Sequence, residues 1–230
     1  MEDFAAVAIE FYKSYYKDSF SEEKSQYIYS RCNNKIRIQV MGDVCFNLKK
    51  KHGKFFTLFG SVIKDEKEAD CLFEALNPLR YSPMNISIMP KTGGINNIKK
   101  WIGNDRFDTF AWLMSQYFSG NKVPIVNGGA INMLMGQRIL LEEFLDSYKD
   151  EKEYFDDIYG IKEELTMKLV ESGKNLLIRE KADLYKYIGL ALEYWEARMN
   201  QENIKSYIGN QSYKNYKSKI DSIKSIIGVK

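Results

Sequence analysis

The chain has 230 residues with 44% hydrophobic and 14% aromatic content, enough to bury a sizeable core and far from the composition of disordered segments. Lys+Arg 34 against Asp+Glu 31 gives a net charge of only +3, so whole-molecule electrostatics argue against a nucleic-acid mimic, and any nucleic-acid role must come from local patches. No run approaches the roughly 18 consecutive apolar residues of a membrane span, and Met1-Glu2-Asp3-Phe4 lacks the basic and apolar regions of a secretory signal, so a cytoplasmic protein without a membrane partner is expected.

In chain order, Phe4, Val7, Ala8, Phe11 and Tyr15 recur at three- and four-residue steps and predict an amphipathic helix. A polar run, 19–26, precedes two β-like stretches, 35–48 and 54–63, which the Lys49-to-Gly53 segment would join as a hairpin. Residues 65–76 read as a helix stopped by Asn77-Pro78, and 85–89 as a short strand. Phe107, Phe110, Ala111, Met114, Tyr117 and Phe118 follow a 3.6-residue period, with Asn104 or Asp105 as N-cap and Gly120 just past the end. A helix over 137–148 follows, and Asp150-Glu151-Lys152-Glu153 resembles a capping box opening another through Ile158. Gly160 and Gly173 punctuate two further helices; Ala182 to Asn200 and Ser212 to Ile227 carry apolar stripes. The expected fold class is α+β, a mainly helical body with a small N-terminal antiparallel hairpin or sheet. The segments 1–84, 85–200 and 201–230 divide the chain softly at Ser82-Pro83 and near Gly209-Asn210, and are expected to form one unit.

Few residues carry obvious chemistry. Cys32, Cys45 and Cys71 are widely spaced and His52 stands alone, which argues against a zinc site or a disulfide framework. His52, between Lys51 and Gly53 at the expected hairpin tip, reads as a solvated turn residue before a general base. Gly93 and Gly94, followed by Asn96, lie in a loop between strand and helix where converging N–H groups suit an anion, although neither GxxxxGK[ST] nor GxGxxG is present and a tight turn needs the same glycines. Asp105, Arg106 and Asp108 open the strongest helix. Two carboxylates and a guanidinium there suit acid–base work or a Mg²⁺ ion, while the same residues also suit helix capping. Lys50 and Lys51 in one basic run, and Lys214 and Lys217 among Tyr207, Tyr213 and Tyr216 in another, combine phosphate-binding and base-stacking groups.

The run Ile88-Met89-Pro90, Gly94-Ile95-Asn96, Asp105-Arg106-Phe107-Asp108-Thr109 and Tyr117-Phe118-Ser119-Gly120 resembles a bacterial family of unknown function with a P…GxIN…DRFDxTL…YxG signature. The resemblance continues through Tyr148, Tyr154-Phe155 and Tyr187 to Asn200, with Ala197-Arg198 matching a late AR pair; Met199 and the N-terminal third depart from it. It implies that the Gly94–Asp108 block is a recurring unit. The Lys-, Ile-, Asn- and Tyr-rich composition also resembles that of AT-rich bacterial and phage genomes. Together these observations favour an interaction protein, encoded by a phage or mobile element in conflict with its host, that binds a host protein or ribonucleoprotein complex without a cofactor. One alternative is an enzyme on a nucleotide or other phosphorylated substrate, with Gly93, Gly94, Asn96 and Arg106 holding the anion and Asp105 and Asp108 holding Mg²⁺ or acting as base. The other is an RNA-binding protein working through the two basic runs.

Overall fold

A computed structural model of the chain describes residues 9–13, 15–23, 26–44, 46, 62–90, 106–122, 142–175 and 177–229. The fold is α+β and mainly helical, with a small antiparallel sheet on its N-terminal side. Residues 9–13 are helical and bury Phe11 and Tyr12. The chain then enters β1 (Phe20–Glu23), β2 (Gln26–Arg31) and β3 (Asn34–Gly42). β2 and β3 are joined by Cys32 and Asn33, whose φ angles of 48° and 68° are the pair of left-handed residues that a two-residue hairpin turn requires. Such a turn continues the natural twist of both strands, and it lets Tyr29, Ile36 and Ile38 enter the core from one face of the sheet.

This places the hairpin earlier than expected. Its strands begin inside the segment read as a polar run, because Phe20, Ile28 and Tyr29 supply buried positions among charged neighbours. β3 pairs with β2 over residues 34–38 and with β4 (Ile86–Pro90) over 38–42, giving the order β1-β2-β3-β4. The stretch expected at 54–63, apart from its last two residues, and the turn expected at Gly53 with His52 lie outside the described residues.

α1 (Glu66–Arg80) starts at Asp65, whose carboxylate accepts from the N–H groups of Lys67 at 2.8 Å and Glu68 at 3.4 Å. It does not stop at Asn77-Pro78 but carries Pro78 inside its last turn. Burial of Leu72, Leu76 and Leu79 holds that turn, and Ser82 Oγ and Asn85 Nδ2 donate to the carbonyls of Leu79 and Arg80 at 2.6 and 2.9 Å. α2 (Phe107–Phe118) buries Phe107, Phe110, Ala111, Met114 and Tyr117, the stripe that its period predicts. Its N-cap is Arg106 in an extended conformation, past both expected positions and without a side-chain cap; Asn104 and Asp105 lie outside the described residues.

α3 (Glu151–Tyr159), α4 (Glu163–Gly173), α5 (Lys181–Met199) and α6 (Glu202–Ile227) complete the body. Asp150 caps α3 by accepting from Glu153 N–H at 2.9 Å, and Gly160, at φ 63°, closes it in the left-handed conformation. α6 is broken at Gly209, where φ 73° and ψ 163° interrupt the helical path at the soft break expected from sequence. Beyond it Ile220, Ile223 and Ile227 are buried, so the stripe packs on the chain's own core. That core is continuous from Phe11 to Ile227. Among the described residues no helix is long and apolar enough to cross a membrane.

A buried polar centre ties the sheet to α5. Asn85 Oδ1 accepts from Val44 N–H and from Trp195 Nε1, each at 2.9 Å, while Asn85 Nδ2 donates to Val44 O at 2.8 Å. Asp43 accepts from Tyr194 OH at 2.6 Å and from Ser87 Oγ. Arg198, on the next turn of α5, donates to the carbonyls of Ile86 and Tyr159 at 2.9 and 3.1 Å. Burial opposes the charge on Arg198, but Tyr194, Tyr12 and Asp43 around it outweigh this and push its pKa well above the ordinary value.

Candidate functional site

The residues singled out from sequence at the start of α2 form a sealed structural pair. Arg106 Nε and Nη2 donate to the two oxygens of Asp108 at 2.9 and 2.5 Å, and Nη1 donates to Asn175 O at 2.7 Å. Asp108 also accepts from Ser172 Oγ on α4 and from Thr109 N–H, both at 2.8 Å. The guanidinium lies 5.4 Å from the centre of the Tyr187 ring. Gly173 makes the enclosure tight, since a Cβ there would overlap the Asp108 carbonyl. Every guanidinium nitrogen of Arg106 is therefore spent inside the protein, and the pair welds α2 to α4 and to the turn after it. Asp105, Gly93, Gly94 and Asn96 lie outside the described residues.

Lys50 and Lys51 lie outside the described residues, and Lys214 is exposed on α6. Lys217 is drawn to Glu196 on α5, which also takes Lys224 at 2.5 Å. Among the described residues no group of three or more His, Cys, Asp or Glu is placed to hold a metal ion, and Cys32 and Cys71 are exposed thiols.

The structure brings together a different set. An open cleft of about 470 Å³ is lined by Tyr15, Tyr16, Ser19, Tyr29 and Arg31 from the N-terminal side and by Glu153, Asp156 and Asp157 from α3. Local structure explains the gathering. The N-cap at Asp150 and the 3.6-residue turn put Glu153, Asp156 and Asp157 on one side of α3. The end of β2 brings Tyr29 and Arg31 opposite them, and the chain before β1 supplies the tyrosine wall. Tyr15 and Tyr16 meet edge to face with centroids 4.6 Å apart, and Tyr16 meets Tyr29 in the same way at 5.2 Å.

Asp157 is the centre of this cleft. Its Oδ2 accepts from Tyr29 OH at 2.7 Å, Tyr148 OH at 2.8 Å and Arg31 Nη1 at 3.2 Å. Three donors on one oxygen fix the carboxylate, and Oδ1 takes no hydrogen bond from any described residue. Arg31 is held as firmly: its guanidinium stacks 4.0 Å from the Tyr148 ring centre and also pairs with Glu153. Arg31 Nε is buried and takes no partner among the described residues. Burial pulls the Arg31 pKa down, but Tyr148, Asp157 and Glu153 outweigh it and the value is raised. Burial first, then the Asp157 carboxylate, raise the pKa of Tyr29 above its ordinary value, so this phenol stays a donor at neutral pH. Asp156, at the rim, takes both oxygens to Lys162 at 2.8 and 3.1 Å.

Sequence reasoning missed this site because its halves are far apart: Arg31 and Asp157 are separated by 126 residues. The only local signals were the capped acidic start of α3 and the Tyr-rich run at 12–16. No protein-family model matches the chain, and no curated protein or solved structure matches it either.

Proposed function

We propose that the protein is a non-catalytic interaction module, encoded by a phage or mobile element, that binds a host protein or the protein part of a ribonucleoprotein complex in the cytoplasm through the cleft between the β2 end and α3. The observation that carries this reading is the state of Asp157, which is anchored by three donors on one oxygen and open on the other inside a tyrosine-walled cleft. A fixed acceptor beside rigid aromatic rings suits recognition, because the side chains have little rotamer freedom left to lose when a partner docks. The phage or mobile-element setting rests on the Lys-, Ile-, Asn- and Tyr-rich composition.

The test is co-purification of the tagged chain from bacterial lysate, wild type beside Asp156→Asn and Asp157→Asn, with melting temperatures measured on all three. A stoichiometric protein that follows the wild type and is lost from folded cleft variants supports the reading. A partner retained by both variants, or a wild-type preparation free of any partner, defeats it.

A further inference from the structure

Resting on that reading, we infer that the group entering the cleft is the side chain of a lysine or arginine on the partner protein. The lining sets Arg31 against Glu153, Asp156 and Asp157, and with Lys162 paired to Asp156 one negative charge remains uncompensated. An anion finds no accessible donor fork on Arg31, because its two terminal nitrogens pair with Asp157 and Glu153 and its Nε is buried. Asp157 Oδ1 remains open as an acceptor, in the same lining as the half-buried Tyr15 ring.

The chain's own residues display the chemistry. Lys162 seats an ammonium across both oxygens of Asp156, and Arg31 lays a guanidinium on Tyr148 while bonding to Asp157 and Glu153. An incoming cation would meet the same two partners, a carboxylate oxygen and a tyrosine ring. A volume of about 470 Å³ holds one long side chain and the backbone that carries it. Phosphate-bearing ligands are repelled by the three carboxylates, which is why the protein component of a complex, and not its RNA, is the fitting occupant.

The experiment titrates the full-length chain with end-blocked peptides Gly-Gly-Lys-Gly-Gly, Gly-Gly-Arg-Gly-Gly and Gly-Gly-Glu-Gly-Gly, following the Arg31 Nε–H and Tyr15 ring signals by NMR. The Lys and Arg peptides should shift both signals and the Glu peptide neither. Asp157→Asn should weaken binding by about tenfold or more, the scale of one charge-assisted hydrogen bond. Asp157 also anchors two tyrosines, so Asp156→Asn, which alters only the pairing with exposed Lys162, serves as the second variant and should weaken binding about threefold. Shifts by the Glu peptide, or by none of the three, overturn the inference. In that event the co-purification experiment still decides the binding reading separately, because it asks only whether a partner depends on the cleft.

Discussion

Two arginine–aspartate pairs in this molecule share their chemistry and differ in their access to solvent. Arg106–Asp108 and Arg31–Asp157 each join a guanidinium to a carboxylate, add hydroxyl donors to the acid and place a tyrosine ring beside the cation. The side chains of the first pair are 3% and 0% exposed, those of the second 21% and 28%. The first pair lies two residues apart in the most motif-like stretch of the sequence, yet it holds helices together. The second is assembled from β2 and α3 and keeps a carboxylate oxygen open. Residue type and spacing name the chemistry; the burial supplied by the rest of the chain decides whether that chemistry faces inward or outward.

The largest effect should come from removing the cation of the sealed pair. Arg106→Met leaves Asp108 buried without its counter-charge, and a broken buried ion pair costs about 3–5 kcal/mol. Arg31→Met strips a partly solvated carboxylate that keeps its two tyrosine donors, for a loss of about 1 kcal/mol. Urea unfolding of both variants measures the contrast directly. Similar losses in the two would break the distinction between structural and available pair.

The sequence carried the helical body well because long amphipathic stripes are local: Phe107 to Tyr117 and Ile220 to Ile227 are buried along the expected faces. It also carried the α3 N-cap and the break near Gly209. The first two strands were hidden. Ser21, Glu22 and Glu23 read as a polar run because β1 buries only Phe20, and the turn that defines the hairpin uses Cys32 and Asn33 where glycine is the familiar signal. Pro78 misled for a related reason, since the missing N–H is a local cost while the burial of Leu76 and Leu79 that offsets it is tertiary. The cleft was illegible on the same grounds: Tyr15, Arg31 and Asp157 become neighbours only once the sheet, the N-terminal helical turn and α3 are assembled.

A smaller effect should separate the scaffold of the cleft from its chemistry. Asp150→Ala removes the cap that accepts from Glu153 N–H and should cost about 1 kcal/mol in thermal unfolding. Fraying of the first turn of α3 loosens Glu153, so the Lys peptide should bind more weakly to this variant even though Asp150 does not line the cleft. Unchanged peptide affinity alongside the stability loss would show that the cleft does not depend on the ordering of that turn.

The smallest effect tests exposure at an intermediate point. Glu196 on α5 pairs with Lys217 and Lys224 of α6, and its side chain is 19% exposed. Burial raises its carboxyl pKa, but the Lys217 and Lys224 bonds outweigh this and hold it below the ordinary value of 4.5. Because the folded-state value is the lower one, the unfolded chain binds the proton more readily. The pairing therefore stabilises the fold fully above about pH 4.5 and fades as pH falls through the folded value. Glu196→Gln should lower stability by about 0.5 kcal/mol at neutral pH and by less in acid, with the gap narrowed by salt. Unfolding curves of wild type and variant between about pH 3 and 7 should then converge toward the acid end. A gap that widens in acid would mean that Glu196 is held protonated in the folded protein and that the two lysines do not set its charge.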